Sequence, residues 1–284
     1  MFVRRKSVIL FLLPGFLLLF CFHILPFFSG IRYSVADGSV NMQFVGLKNY
    51  IALWQNEMFR LGLKNTLELS VLCAPLLWFL SLVLALGLHA VYPRGKVFRS
   101  FVLLPYLAPS SAMLLVWLLL FDNGGPVNRL LLDIGFDQVL WLEGSALRVP
   151  IVLLFLWKNL GFCTIVFLAA LQTVPDAYLE YAYLEGAGFF TRTFQVMLPQ
   201  IIPTAFLVFI FAWINAFKVF QEAYIIAGAY PSRSIYTLQH YMNNQFARLD
   251  FQMVTTAAYS FAALVMVFFA VLFLLQKKAA DQGG

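Results

Sequence analysis

PIVLLFLWKNLGFCTIVFLAALQT, residues 150–173, decides the fold, because it is apolar almost from end to end with Lys158 as its one charged residue. About 20 apolar residues wound as a helix cross the ~30 Å hydrocarbon core of a bilayer. The stretch lacks the alternation of a membrane β-strand, and lipid leaves the backbone no partner but itself, so a helix is the expected form. Outward from it, residues 8–28, 66–90, 100–121, 201–227 and 254–275 meet the same test. The expected fold class is therefore an all-α membrane protein with six transmembrane helices.

Composition agrees. Of 284 residues, 62% are hydrophobic and 11% charged, with mean hydropathy +0.84. Soluble domains carry about 25% charged residues, so this chain has too little polar surface for a water-soluble globule. The net charge of +6 is carried partly by Arg4, Arg5 and Lys6 before the first span and Lys277 and Lys278 after the last. Such flanks are cytoplasmic anchors, not a nucleic-acid footprint, and with the cluster Arg94-Gly95-Lys96-Val97-Phe98-Arg99 they place both termini inside. Cys21, Cys73 and Cys163 each lie in an apolar run, without CxxC or metal spacing. The first apolar run, Val8 to Phe28, is too long for a signal-peptide core and ends without an A-x-A pattern. It is expected to remain as a helix, and residues 1–60 form an N-terminal helix and outer loop ahead of a core over 61–276 and a cytoplasmic tail over 277–284.

Between the fourth and fifth spans lies VPDAYLEYAYLEGAGFFTRTFQVMLPQIIP, residues 174–203. Connections usually need only a few residues, and this one holds two short helical pieces. Pro175 and Asp176 suit a helix start, and Ala177, Tyr181 and Leu184 share one face. Gly186 and Gly188 break that helix. A second piece spans 189–197, and Pro199 and Pro203 mark the return to the membrane. On pattern alone the segment is either an interfacial hairpin tethering two spans or a docking element.

The segment resembles the cytoplasmic signature of permeases of binding-protein-dependent ABC importers: E-A-A, three residues, G, nine residues, I-x-L-P. Here Glu180-Tyr181-Ala182, then Gly186, then Val196-Met197-Leu198-Pro199 keep that spacing, with Tyr181 for the first Ala and Val196 for Ile. FVGLKNY (44–50), FRSFVLLPYLAPSSAMLLVWLLLF (98–121), LWKNLGF (156–162), LAALQTVP (168–175) and AFKVFQEAYIIAG (216–228) extend the likeness over nearly the whole chain. They are similar to the carbohydrate branch, which transports maltose, glycerol phosphate and oligosaccharides. The resemblance implies the type I importer permease fold, with Glu180, Tyr181, Ala182, Gly186, Leu198 and Pro199 in a coupling helix that docks on an ATPase. It also implies a second permease in a heterodimer, two ATPase subunits, an extracytoplasmic solute-binding protein, and a bacterial or archaeal cell membrane as the location. The chain holds no G-x-x-x-x-G-K-[ST] loop, so ATP acts through another polypeptide and no cofactor or catalytic residue is expected in this one.

Two lysines stand inside the spans. Lys158, ~14 Å into its helix, costs ~3 kcal/mol at mid-membrane unless it faces a water-filled cavity or an anionic partner. Lys218 lies ~25 Å along the fifth span, where it either snorkels or is neutralised by Glu222 four residues on. By the same resemblance, Lys158, Asn159, Phe162, Asn215, Phe217 and Lys218 are the expected substrate-pathway residues. His23, His89 and His240 are scattered without metal spacing. The alternative is an ion-gradient-driven secondary transporter, which calls for paired repeats and an intramembrane carboxylate relay. Neither is evident here, and no Gly-x-Ser-x-Gly or His-Glu-x-x-His constellation points to an intramembrane enzyme.

Overall fold

The computed structural model describes residues 5–39, 41–91 and 96–282; Arg4, Arg94 and Gly95 of the basic flanks lie outside them. In chain order the helices are α1 (Arg5–Leu19), a π-helical turn (Phe20–Ile24), α2 (Leu25–Ser34), α3 (Lys48–Gln55), α4 (Glu57–Ala90), α5 (Lys96–Leu107) and α6 (Ser110–Leu120). There follow α7 (Pro126–Asp133), α8 (Arg148–Leu171), α9 (Asp176–Leu184), α10 (Phe189–Thr191), a second π-helical segment (Arg192–Met197), α11 (Leu198–Gln200), α12 (Ile202–Ala216), α13 (Phe220–Ala227), α14 (Leu238–Ala247) and α15 (Phe251–Gln282). Among the described residues the sole β feature is an isolated bridge between Ala36 and Phe44.

Among the described residues, five stretches are long and apolar enough to cross a membrane: Phe11–Ser34, Glu57–Ala90, Arg148–Leu171, Ile202–Ala227 and Phe251–Lys278. The sixth expected span, 100–121, is divided between α5 and α6 at Ala108 and Pro109. Proline has no N–H to continue the ladder and drives the preceding residue out of the helical region.

The chain divides into two compact units, Met1–Gly62 with Leu238–Gly284 and Leu63–Thr237. In the first, α2 packs on α15 at Gly30, where an added Cβ would stand 2.7 Å from the Tyr259 hydroxyl. Tyr259 donates to the Phe27 carbonyl, and Thr256 donates to the Gln252 and Ser34 carbonyls. Asn49 holds the chain after α2 by donating to the Ser34 and Ala36 carbonyls. Buried Phe59 meets Tyr241 and Trp54 edge-on.

In the second unit α8 is the central helix. Its Ile151, Leu154, Phe155, Cys163 and Phe167 are each at most 2% exposed, because α5, α12 and α13 all pack on it. Gly161 sets the closest approach, since a Cβ there would fall 1.8 Å from the Val102 carbonyl oxygen of α5. Small residues at such crossings let backbones meet in lipid, where hydrophobicity supplies no drive between helices. Polar ties fix the ends. Arg148 reaches Glu68 and Asn65 at 3.1 Å and the Ser234 carbonyl at 2.7 Å. Asn128, 1% exposed, staples the outer segment by donating to three carbonyls and accepting from Val139 N and Trp141 Nε1.

Candidate functional site

The hairpin 174–203 is built as the sequence implies, in two helical pieces. Pro175 caps α9 and Asp176 sits in its first turn. The helix ends in a Schellman motif: Ala187 N–H bonds the Ala182 carbonyl at 2.9 Å and Gly186 N–H bonds that of Tyr183 at 3.0 Å. Gly186 occupies the left-handed position at φ +80°, a conformation costing about 1–2 kcal/mol for a residue with a Cβ. No atom of the described chain lies within 4 Å of a Cβ placed there, so within this chain the glycine serves the turn and not a close contact. Glu180, Tyr181, Gly186 and Pro199 are exposed, while Ala182 and Leu198 are half-buried. Tyr178, Tyr181, Tyr183, Leu184, Phe189 and Phe190 are all at least half exposed. The face of α9 expected to be apolar is therefore covered by nothing among the described residues, and exposed large apolar side chains gathered on one short segment mark an interaction site.

The intramembrane residues divide into those that converge and those that do not. Lys158 donates to Glu222 Oε1 at 2.8 Å, with side-chain exposures of 24% and 7%. Glu222 thus neutralises Lys158 and not Lys218, contrary to the helical-spacing expectation. The physical reason is that α12 ends at Ala216 and α13 begins at Phe220; Lys218 sits exposed on the turn between them, off the helical register that an i, i+4 pair requires. The void beside the pair, bounded by Ala108, Met113, Leu114 and Leu154, is ≈ 10 Å³, the size of one water at most, so in this conformation it offers no solute-sized cavity. One turn along α8, Phe162 lies between Tyr106, stacked at 4.9 Å, and Phe211 at 4.6 Å. Lys158 and Phe162, four apart on one helix face, thus present an ion pair beside an aromatic stack. Asn159 is turned into the protein and donates to the Phe155 carbonyl. Asn215 donates to the Phe211 carbonyl, and Phe217 leans on Trp213 at 5.8 Å.

Tyr106 and Phe211 are site residues that the sequence did not single out, and Glu222 was weighed there only as a partner for Lys218. For Glu222 a signal existed, since a lysine at mid-membrane demands an anion and this glutamate lies within a span. Tyr106 and Phe211 carried none in a chain with 31 phenylalanines and 12 tyrosines.

Residues 77–281 match the family described as binding-protein-dependent transport system inner membrane component. The chain belongs to that family. The permease is 29% identical over 280 residues to the diacetylchitobiose uptake system permease protein NgcF of Streptomyces coelicolor, covering 90% of this chain and 78% of that one. It is likewise 29% identical over 267 residues to the sn-glycerol-3-phosphate transport system permease protein UgpA of Yersinia pestis, covering 91% and 89%. Among solved structures it resembles a chain of a bacterial alginate ABC transporter in complex with an alginate pentasaccharide-bound periplasmic protein. There the TM-score is 0.82 at 26% identity, covering 94% of this chain and 93% of that one. The type I importer permease fold and the membrane location follow.

Proposed function

We propose that the permease forms the translocation path of an ATP-driven importer for a sugar or sugar-like solute. It works with a second permease, two cytoplasmic ATPase subunits and an extracytoplasmic solute-binding protein. Support for the solute class comes from relatives named for diacetylchitobiose, glycerol phosphate and alginate uptake. Both termini lie in the cytoplasm, on the side where the hairpin 174–203 meets the ATPase. ATP hydrolysis belongs to those separate subunits.

The observation that carries the mechanism is the uncovered aromatic face of α9, outside every span and ended by a rigid left-handed turn at Gly186. Glu180 and Tyr181 present that face to the ATPase, Ala182 packs the helix from behind, and Leu198 and Pro199 lead the second piece back to α12. Closure of the ATPase dimer moves this short lever, and α8 and α12 follow because the hairpin joins them directly. Lys158, Asn159, Phe162, Asn215, Phe217 and Lys218 are proposed for the solute path. The aromatic faces of Phe162 and Phe217 suit sugar rings, and the ionic and amide groups suit hydroxyls.

The test reconstitutes the complex with Gly186→Leu and measures complex yield, solute-stimulated ATP hydrolysis and transport. The expected outcome is that both activities fall together while membrane insertion survives, with Glu180→Ala acting in the same direction more mildly. Wild-type rates in Gly186→Leu would reduce the hairpin to a tether.

A further inference from the structure

A cleft of ≈ 290 Å³ opens behind α9, between the C-terminal end of α4 and the second piece of the hairpin. Its walls are mostly apolar: Leu86 from α4, Leu179 from α9, and Phe189 and Met197 from beyond the bend. Its polar lining is cationic or neutral, with Arg192, His89 and Thr193 and no carboxylate. Thr193 is 2% exposed. Arg192 Nε is fully enclosed and has no acceptor among the described residues, while its guanidinium lies 5.5 Å from the Tyr183 ring. A buried guanidinium N–H left without an acceptor is costly, so an absent ligand is indicated. The segment that carries Arg192 is π-helical, Arg192–Met197, a distortion frequent at functional sites.

We propose that this cleft binds an anionic phospholipid, its phosphate held by Arg192 with Thr193 and His89, and its first methylenes against Leu86, Phe189 and Met197. Three observations select an amphiphilic anion. A free phosphate has no use for four apolar walls. A soluble partner's carboxylate would approach from the exposed face of α9, which Glu180 and Tyr181 occupy, whereas the half-buried Leu179 lines the cleft. And the cleft lies at the very end of a 34-residue membrane helix, at the depth where headgroup phosphates reside and where basic pockets between helices hold them. Lodged there, the lipid stiffens α9 from behind and makes the lever's position responsive to the charge of the bilayer.

The experiment exposes the purified complex of the permease with its partner subunits to photoactivatable phosphatidylglycerol and phosphatidylcholine, and maps the labelled peptides. Phosphatidylglycerol should label segments 86–91 and 189–197 in preference to phosphatidylcholine. Excess inorganic phosphate or glycerol phosphate should not compete. Arg192→Gln should weaken phosphatidylglycerol retention about five- to tenfold, as expected for the loss of one charge-assisted contact near the headgroup layer. Leu86→Trp, which fills the cleft and keeps the charge, should abolish the selective label. Equal labelling by the two lipids, label confined to other segments, or displacement by inorganic phosphate would each overturn the proposal. So would a label present on the permease pair stripped of its ATPase but absent from the full complex, which would give Arg192 to an acidic group of that subunit. The wild-type labelling pattern decides the matter even where a variant does not assemble.

Discussion

Lys158→Met strands Glu222. Judged from the sequence alone, this substitution removes a buried charge and should leave a stably inserted protein. In the structure it removes the partner of a carboxylate that is 7% exposed and 2.8 Å away. Breaking a buried pair from one side costs about 3–5 kcal/mol, and with Lys158 at 24% exposure some of the pairing is screened by solvent, so we expect about 2–4 kcal/mol. Glu222→Met should cost a similar amount. The double variant Lys158→Met/Glu222→Met should lie within about 1 kcal/mol of wild type, or above it, because apolar replacement of a whole buried pair is neutral or stabilising. The cycle isolates the coupling between the two groups. Unfolding is followed in mixed micelles with a thiol-reactive fluorophore in a Cys21→Ser background, where the buried Cys73 and Cys163 report loss of structure. A single Lys158→Met as stable as wild type, with the double variant no better, would refute the pairing.

Gly161→Ala should destabilise the α5–α8 crossing by at least about 2 kcal/mol in the same assay, since the obstructing atom is backbone, the Val102 carbonyl oxygen at 1.8 Å; an unchanged midpoint would show that the helices are not so close. Burial pushes the His240 imidazole of α14 from 6.5 down to about 4. The folded state therefore holds this residue neutral, the unfolded chain binds more protons below pH 6.5, and stability falls as pH drops from 6.5 toward 4, by about 2–3 kcal/mol. His240→Gln should flatten that part of the pH profile, and an identical slope in the variant would remove His240 as its source. Single cysteines at Ser145 and Thr191 in a cysteine-free background should label from outside at 145 and only after permeabilisation at 191, and the reverse pattern would invert the proposed topology.

Span existence was legible because a bilayer imposes a length on any apolar run, and the hairpin was legible because Gly186 at φ +80° is a position only glycine fills cheaply. What was hidden is where the spans are interrupted. Pro105 and Pro109 stand in 100–121, yet only the second breaks the helix. Pro105 lies inside α5, as membrane helices allow. The division between α12 and α13 has no breaker at all: Phe217-Lys218-Val219 reads as uninterrupted helix by composition, and tertiary packing overrides propensity there.

The two interruptions belong to one arrangement, which explains why neither was evident locally. Ala108 at the α5–α6 break lines the same small void as Lys158 and Glu222, and Glu222 stands two residues past the start of α13. A continuous α12–α13 helix would have kept Glu222 one turn from Lys218, satisfying the local i, i+4 rule and leaving Lys158 buried and uncompensated in α8. Ending α12 at Ala216 releases Lys218 to the exposed turn, where its charge is solvated at little cost, and frees Glu222 for the less exposed lysine of α8. The turn keeps its backbone bonds in a tighter pattern, with Lys218 N–H on the Asn215 carbonyl and Val219 N–H on that of Ala216, so the break is mild beside an unpaired lysine at mid-membrane, ~3 kcal/mol or more. The choice between those two pairings therefore rests on a contact 64 residues apart, which no window of sequence spans.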